Sequence, residues 1–381
     1  MKTKELELYV HIPFCIQKCN YCDFCSFQAS ETTVKLYMEK LYQELEQWGN
    51  HLDGDRKIST IFIGGGTPSS IDAVYIQKLC QIIRQSFSVM ENAEVTIEAN
   101  PGTVDAEKLR MYYDAGISRI SFGLQSTRQE ELSYLGRIHT YEEFLESYYD
   151  ARKAGFENIN VDLMSAIPKQ TIKSYEETLR NVAELKPEHI SAYSLIIEEG
   201  TRFAQDESIG LYLPSEEDEV SMYKMTGEIL VEYGYEKYEI SNYAKPGYEC
   251  IHNLGYWSQI PYLGVGLNAA SYLDEKRFEN SFSMNEYLAT DYFPKVFEET
   301  KPLTLEAQIE EFMFLGLRKT KGVSRTEFRQ KFHQPMNYFY RNVIEKAIGC
   351  GWMQEKDDML SLTEKGILIS NQVLCEFLLE V

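Results

Sequence analysis

Residues 6–25 read "LELYVHIPFCIQKCNYCDFC" and join a strand pattern directly to a cluster of cysteines. Apolar and polar side chains alternate over the first seven of these residues, which predicts a half-buried strand. Cys15, Cys19, Cys22 and Cys25 then fall within eleven positions. Thiols at this density indicate a shared role, and the candidates are a disulfide knot, a zinc knuckle and an iron–sulfur cluster.

The chain has 381 residues, of which 44% are hydrophobic and 25% are charged, as in an ordinary globular protein of two or three domains. Its apolar runs are shorter than the roughly 18 to 20 residues that span a bilayer, and its start lacks the apolar segment of a signal peptide. These features predict a cytoplasmic protein. Because thiols stay reduced in the cytoplasm, the cysteine cluster favours metal or redox chemistry over disulfides.

The formal net charge of −21 argues against non-specific nucleic-acid binding, which needs clustered Lys and Arg to neutralise phosphates. The excess of acidic residues is uneven along the chain. Residues 301–381 carry 11 basic and 11 acidic side chains, so the whole excess lies in residues 1–300. This difference predicts that the two parts belong to different domains, and that nucleic acid is not a partner.

Strand patterns alternate with helical apolar spacing between residues 6 and 196. The strand-like runs are "LELYVHI", "ISTIFI", "EVTIEA", "RISFGLQ", "NINVDLM" and "HISAYSLI". This alternation indicates repeated βα units and a parallel sheet, closed or partly closed into a barrel. In such folds the chemistry gathers on the loops that follow the carboxyl ends of the strands. The motifs of the predicted barrel, described below, fall at those ends.

The pattern changes after residue 210. Residues 216–234 predict a helix and precede an aromatic stretch, while residues 305–379 read as helix, helix, helix, hairpin and helix. That order is winged-helix-like, and without a net positive charge it favours a packing or docking module over DNA binding. We therefore predict three parts, a barrel core, an extension and a C-terminal domain, at 1–210, 211–300 and 301–381.

The spacing Cys15-x3-Cys19-x2-Cys22 is the strongest chemical signal in the chain. Zinc sites usually pair two close ligand couples that lie tens of residues apart, and the sequence offers no second couple. Three thiolates on a [4Fe–4S] cluster leave one iron open to a substrate or cofactor. The CxxxCxxC spacing is the signature of radical-SAM proteins. A zinc knuckle that uses all four local cysteines stays the alternative.

With its flanking residues the motif reads Y-x-H-I-P-F-C-x3-C-x-Y-C-x-F. The chain thereby resembles the oxygen-independent coproporphyrinogen III oxidase-like family of radical-SAM proteins, and within it the haem chaperone branch. The resemblance implies an α/β fold: a partial (β/α)6 TIM-type radical-SAM barrel with an appended C-terminal winged-helix-like α+β domain. It also implies a [4Fe–4S] cluster on Cys15, Cys19 and Cys22, with S-adenosyl-L-methionine (SAM) on the open iron.

Further motifs resemble the SAM contacts of this family. "GGGTPSS" at 64–70, with Gly65, Gly66 and Thr67, resembles a loop that approaches the methionyl amino group. Glycines there let the backbone come close to a ligand. A carboxylate suits the ribose hydroxyls, and a guanidinium fork suits the methionyl carboxylate. The resemblance implies that a series of polar residues, which follow one another along the chain, contacts SAM. They are Tyr9, Glu98, Gln125, Arg137 and Asp162.

One loop departs from the family pattern. After Asp162 the family reads close to "YGLPGQT", whereas residues 165–171 here read "SAIPKQT". Ala166 and Lys169 thus stand where the family has glycine. We expect the backbone of this loop to differ from that of the family, because glycine adopts conformations that other residues disfavour.

The chaperone and oxidase branches share the cluster and SAM motifs, so other residues must separate them. "HNLGYW" at 252–257 resembles the HNxxYW motif of the chaperone branch, and the resemblance assigns haem binding to His252. Imidazole is a common axial ligand of haem iron. Eight residues precede Tyr9, so we expect the longer N-terminal segment of the oxidase to be missing. Cys25 also lies one residue beyond the position of the oxidase's fourth cysteine.

The resemblance therefore implies a haem chaperone that binds haem and delivers it to acceptor haemoproteins, with membrane-associated respiratory proteins among the candidates. A homodimer is a further expectation. The alternative is an oxygen-independent coproporphyrinogen III oxidase, which carries out radical-SAM oxidative decarboxylation of coproporphyrinogen III to protoporphyrinogen IX.

Overall fold

The computed structural model describes residues 4–52 and 54–379. Within these residues, parallel strands pair side by side in chain order, as the alternating pattern predicted. The strands are β1 (Lys4–Ile12), β2 (Arg56–Gly65), β3 (Val89–Ala99), β4 (Arg119–Gln125), β5 (Ile159–Ser165) and β6 (His189–Ser194).

Helices follow the first five strands and pack on one face of the sheet. They are α1 (Glu31–His51), α2 (Ala73–Ser86), α3 (Ala106–Asp114), α4 (Gln129–Leu135), α5 (Tyr141–Ala154) and α6 (Ile172–Glu184), with a 3₁₀ turn at Pro68–Ser70. In α1 the buried side chains recur every three or four residues, which is the spacing of a helix with one apolar face. Thr140 and Thr171 form capping boxes that begin α5 and α6.

The two faces of the sheet differ in chemistry because successive side chains on a strand point to opposite faces. Leu6, Leu8 and Val10 of β1 are fully buried in the apolar core shared with the helices. The alternate positions, Glu7 and His11 among them, lie on the other, polar face. That polar face is the inner surface of the barrel and carries the candidate site.

Shorter strands extend the sheet at both edges, with β9 parallel to β1 and β8 antiparallel to β6. They are β7 (Glu236–Lys237), β8 (Asn242–Ala244), β9 (Tyr262–Val265), β10 (Ala270–Leu273) and β11 (Lys276–Glu279). In the described residues the order is β11-β10-β9-β1-β2-β3-β4-β5-β6-β8-β7, an open sheet whose ends do not pair. The predicted partial barrel is confirmed.

Helices of the extension connect and cover these edge strands. They are α7 (Arg202–Gln205), α8 (Glu216–Glu232), α9 (Ile251–Trp257), α10 (Met284–Ala289) and α11 (Pro294–Glu299), with a 3₁₀ turn at Ile209–Leu211. The motif "HNLGYW" lies in α9, a helix of two turns that contacts β2 on the polar face. Over the residues that the structure describes, no helix is long and apolar enough to cross a membrane.

The C-terminal part has its own apolar core and its own antiparallel sheet, in the order β12-β14-β13. Its elements are α12 (Leu305–Gly316), β12 (Val323–Ser324), α13 (Arg325–Phe332), α14 (Met336–Gly349), β13 (Met353–Lys356), β14 (Met359–Leu362), α15 (Glu364–Leu368) and α16 (Ser370–Cys375). The predicted order of helices and hairpin is confirmed. The domain docks on the barrel where Thr320 N donates to the Tyr238 carbonyl (3.0 Å).

Candidate functional site: a cysteine-lined cavity

One cavity on the polar face gathers most of the residues that the sequence singled out. It lies at the carboxyl ends of β1 to β5 and has an empty volume of about 650 Å³, part of it open to solvent. The predicted residues that line it are Cys15, Cys19, Cys22, Gly65, Gly66, Thr67, Glu98, Gln125, Arg137 and Asp162. Tyr9 and His252 are not among its lining residues.

The cysteine loop between β1 and α1 is held by backbone hydrogen bonds at both ends. Cys15 N donates to the Phe27 carbonyl (3.1 Å), and Phe27 N donates to the Pro13 carbonyl (2.9 Å). A hydrogen bond of 2.9 Å joins His11 Nε2 to the carbonyl of Cys25. His11 thereby helps to order this loop. These hydrogen bonds hold the base of the loop, while the thiols of Cys15, Cys19 and Cys22 line the cavity.

The predicted ligand sulfurs are bordered by polar donors. Thr67 Oγ1 donates to Cys15 Sγ (3.5 Å), and Arg137 Nη1 donates to Cys19 Sγ (3.6 Å). Burial raises the pKa of the Cys22 thiol, a penalty that a bound metal would reverse because metal ligation needs the thiolate. Cys25 does not line the cavity and packs partly against the apolar core.

No group of three or more His, Cys, Asp or Glu side chains within residues 4–52 and 54–379 converges on the position of a single metal ion. In the same residues the cysteines are free thiols. Cys15, Cys19 and Cys22 line the same cavity, so their thiols can reach a common ligand there.

The glycine loop after β2 brings backbone to the edge of the cavity. Gly65 has φ of +115°, a conformation that favours glycine, and its N–H donates to Glu98 Oε2 (3.1 Å). A side chain at Gly66 would meet the Phe14 carbonyl at 2.8 Å and the sulfur of Cys15 at 3.0 Å. Glycine at position 66 is thus required by the close approach of the cysteine loop.

Two carboxylates lie on the cavity wall. Burial and the charge of Asp162 raise the pKa of Glu98 to about 8, so this group holds a proton at neutral pH. Burial also raises the pKa of Asp162, which accepts hydrogen bonds from Asn160 Nδ2 (2.8 Å) and Ser121 Oγ (3.3 Å). A protonated carboxyl both donates and accepts, which suits the hydroxyl groups of a ribose.

Arg137 and Gln125 carry hydrogen-bonding capacity that the described residues do not satisfy. Arg137 Nη2 donates to Asn100 Oδ1 (2.7 Å) and to the Gly123 carbonyl, but its buried Nε has no partner within the described chain. Gln125 Oε1 is equally unpaired there, and the residue has φ of +73°. Buried polar atoms normally find partners, so these two fit a polar ligand in the cavity.

Tyr9 lies behind the residues that line the cavity. Its hydroxyl forms a hydrogen bond of 2.9 Å with His11 Nδ1, and its ring packs near Phe62 with centroids 6.4 Å apart. Tyr9 therefore reaches the cysteine loop through His11. Its predicted contact with SAM stays a prediction.

His252 is separated from the cavity and enclosed on the inner face of the sheet. Its side chain is 1% exposed, and its ring stacks on Phe62 with centroids 5.2 Å apart. Nδ1 forms a hydrogen bond of 2.6 Å with Thr60 Oγ1, and Nε2 one of 2.9 Å with the Tyr256 hydroxyl. Burial, with the nearby charge of Arg119, lowers its pKa to about 3. Haem ligation by His252 stays a prediction, and it requires one of these two hydrogen bonds to break.

The loop that departs from the family keeps a glycine-type backbone. Ala166 has φ of +59° and Lys169 has φ of +64°, both in the left-handed region that glycine favours. These are conformations that glycine adopts readily, and the expected difference from the family's backbone stays a prediction. Contacts of Lys169 offset the cost of its left-handed conformation. Its N–H donates to the Tyr212 carbonyl (2.6 Å), and its ammonium lies over the rings of Tyr134 and Tyr212.

The sequence reasoning overlooked Asn100, which connects three parts of the site. Its backbone N–H donates to Ser69 Oγ (3.1 Å), its Nδ2 donates to Thr67 Oγ1 (2.9 Å), and its Oδ1 accepts from Arg137 Nη2 (2.7 Å). The signal was present, because Asn100 follows Glu98 at the carboxyl end of a predicted strand. Polar residues at such ends line the site in this class of fold.

The partial barrel and its cysteine-lined cavity define the class of protein as radical SAM. The Radical SAM superfamily matches residues 9–182, and the HemN C-terminal domain matches residues 303–369. The fold is that of coproporphyrinogen III oxidase (HemN) from Escherichia coli, with a TM-score of 0.85 at 23% identity over 99% of this chain and 91% of that chain.

Relatives that match over their full length identify the family within the radical-SAM class. Heme chaperone HemW from Bacillus subtilis is 38% identical over 98% of this chain and 99% of its own length. The protein of the same name from Escherichia coli K12 is 35% identical over 100% of both chains. The chain belongs to the HemW family, and the resemblance inferred from the sequence is confirmed.

Proposed function

We propose that this protein is a haem chaperone that binds haem, carries a SAM-ligated [4Fe–4S] cluster and delivers haem to acceptor haemoproteins. The observation that carries the cluster part is the meeting of Cys15, Cys19 and Cys22 with the glycine loop and Arg137 in one cavity. The haem part rests on similarity along the whole chain to proteins named heme chaperone HemW.

Cys15, Cys19 and Cys22 would hold the cluster through their thiolates. When bound, such a cluster supplies an open iron for the amino and carboxylate groups of SAM. Arg137, next to the Cys19 sulfur, would donate its free Nε to the methionyl carboxylate. The backbone of Gly65 and Gly66 leaves room for the amino group. Glu98 and Asp162 would take the ribose hydroxyls, with Gln125 beside them.

The partners follow from the same proposal. Haem is the cargo, and its acceptors are haemoproteins, for which membrane-associated respiratory proteins are our candidates. We place the protein in the cytoplasm and propose a homodimer as its assembly. Because the C-terminal domain has equal numbers of basic and acidic residues, we assign it to docking or packing and not to nucleic acid.

The test compares haem transfer with coproporphyrinogen turnover on one anaerobically reconstituted sample. We expect the protein to bind haem in a titration and to pass it to apomyoglobin, a neutral test acceptor. With SAM and a reductant added, coproporphyrinogen III should stay unchanged. Conversion to protoporphyrinogen would overturn the chaperone proposal in favour of the oxidase. A colourless, zinc-containing sample would overturn the cluster assignment.

A further inference from the structure

A second cavity lies between the barrel and the C-terminal domain, at the end of α9. We call it the junction cavity and define it by Trp257, Gln259, Phe312, Lys319, Glu327 and Lys331, which line it. Its volume is about 560 Å³. Small-molecule sites commonly measure roughly 300 to 1,000 Å³, so the junction cavity falls within the size range of ligand sites.

Two lysines from the C-terminal domain reach across this cavity to the barrel. Lys319 Nζ donates to Ser258 Oγ (3.0 Å), and Lys331 Nζ donates to Gln259 Oε1 (2.7 Å). Both acceptors are neutral, and an ammonium has three N–H donors, so each lysine keeps donors for an anion. Over the part of the chain that the structure describes, neither ammonium forms an ion pair with a carboxylate.

The positive charges of these two lysines are only partly compensated by nearby carboxylates. Burial lowers the pKa of both Lys319 and Lys331, while Glu327 near the first and Glu275 and Glu311 near the second offset part of that effect. The lowered values mean that the carboxylates already present stabilise the ammonium groups less than water would. A carboxylate ligand would restore that stabilisation.

Gln259 provides a free donor beside the lysines. Because its Oε1 accepts from Lys331, the orientation of its amide is fixed and its Nε2 is a donor. That Nε2 is buried and has no partner among the described residues, and the same holds for Trp257 Nε1. Gln259 also has φ of +55°, a strained conformation for a residue other than glycine. Unpaired donors and backbone strain of this kind are typical of ligand sites.

Aromatic rings supply the apolar part of the cavity. Trp257 and Phe312 line it, and the guanidinium of Arg318 covers the Trp257 ring at 4.5 Å. Flat rings favour a flat apolar ligand, and the lysines favour carboxylates on its edge. The required ligand is therefore planar, apolar at its centre and dianionic at its rim.

We propose that the junction cavity binds haem, with Lys319 and Lys331 pairing with its two propionate carboxylates and Trp257 and Phe312 against the macrocycle. This inference rests on the proposed haem chaperone function and gives that function a location. The cavity begins where α9 ends, and α9 carries the enclosed His252 five residues earlier. One short helix therefore connects the cavity to the residue predicted to ligate haem.

The test is a titration of the full-length protein with haem and with haem dimethyl ester, in which both propionates are blocked. We expect the unmodified protein to bind haem about tenfold or more tightly than the ester, since charge-assisted pairs would be lost. K319Q/K331Q should lose that preference and bind haem as weakly as the ester. K319R/K331R keeps the charges and should retain most of it.

A matched control and a second signal separate the site from general charge effects. Lys321 and Lys356 are exposed on the same domain and do not line the cavity, so K321Q/K356Q should bind both ligands like the unmodified protein. Haem in the cavity should also quench the fluorescence of Trp257, and Trp257→Phe should remove that part of the quenching. Thermal unfolding of each variant checks that it is folded.

The outcomes distinguish a failure of the proposed haem site from a failure of the proposed chaperone function. If the unmodified protein binds no haem, the proposed function itself fails. If it binds haem but K319Q/K331Q keeps the full preference for haem over the ester, the junction cavity is wrong while the chaperone function stands. An equal loss in K321Q/K356Q would also overturn the site, because surface charge alone would then explain the affinity.

Discussion

Arg137 Nη1 lies 3.6 Å from the sulfur of Cys19, although 118 residues separate the two in sequence. The same guanidinium donates to Asn100 Oδ1 and to the Gly123 carbonyl, so two further loops fix its position. A fixed cation at this point attracts a thiolate on one side and an incoming carboxylate on the other. The contact therefore joins the predicted cluster loop to the predicted SAM pocket.

Replacing Arg137 by Lys should separate these two roles. Lysine keeps a positive charge near Cys19 but has no counterpart of the guanidinium Nε, which is the nitrogen free to donate to a carboxylate. We expect the affinity for SAM to fall about ten- to hundredfold, with iron and sulfide contents unchanged after reconstitution. Equilibrium dialysis with SAM measures the affinity. Arg128→Lys, at a surface pair with Glu177, is the matched control, and an unchanged affinity in Arg137→Lys would refute the assignment.

Serine substitutions should distinguish the cluster ligands from Cys25. Cys25→Ser should keep the cluster, because this thiol packs towards the apolar core and does not line the cavity. Serine at Cys15, Cys19 or Cys22 should lose it. Iron and sulfide analysis with the absorbance of the reconstituted proteins gives the measurement. Loss of the cluster in Cys25→Ser would show that all four cysteines are needed.

Glu7 should make stability depend on pH. Burial raises its pKa from the ordinary 4.5 to about 9, so between these values the folded protein holds a proton that the unfolded chain has released. The free energy of unfolding therefore falls as pH rises from 4.5 to 9. Glu7→Gln imitates the protonated form and should flatten this dependence.

Thermal unfolding of Glu7→Gln across that pH range gives the measurement. We expect a stabilisation of at least about 1 kcal/mol at the alkaline end, where the wild-type carboxyl must ionise in a buried site beside His252 and Glu94. Glu91→Gln, at an exposed position of β3, should leave the pH profile unchanged. Parallel profiles for the wild type and Glu7→Gln would contradict the assignment.

Ala166→Gly should stabilise the protein. The left-handed conformation costs a non-glycine residue about 1 to 2 kcal/mol, which exceeds the roughly 0.5 to 1 kcal/mol that glycine loses in chain entropy. We expect the free energy of unfolding to rise by about 0.5 to 1 kcal/mol, measured by denaturant or thermal unfolding. Ala151→Gly, at a buried position inside α5, should lower it instead. The same sign for both variants would show that backbone strain at Ala166 is not the cause.

Tyr256→Phe should speed haem association if His252 is the ligand. The Tyr256 hydroxyl occupies His252 Nε2, and its removal releases a hydrogen bond of about 0.5 to 1.5 kcal/mol that holds the ring in place. We expect a roughly two- to tenfold faster association, measured by stopped-flow absorbance. Tyr262→Phe removes a hydroxyl that pairs with Arg277 instead and should have no such effect. An unchanged rate in Tyr256→Phe would argue against Nε2 as the ligand.

Local sequence patterns were enough to predict the larger part of the architecture. The alternation in "LELYVHI" and the helical spacing in α1 or α5 depend on neighbouring residues only, so the βα order and the C-terminal helices were readable. The strands β7 to β11 were missed because each has two to four residues and exists through pairing with distant segments. Pairing of that kind leaves little periodicity in the sequence.

The sequence by itself determined the cysteine spacing, the glycine loop and the polar residues at strand ends, because chemistry needs those residue types in those places. Only the tertiary structure decided that Cys25 does not line the cavity, that Asn100 links Thr67 to Arg137, and that His252 is enclosed with both ring nitrogens paired. These outcomes depend on which distant side chains meet on the inner face of the sheet. Contacts between residues far apart in the chain arise from packing, and packing is a property of the whole fold.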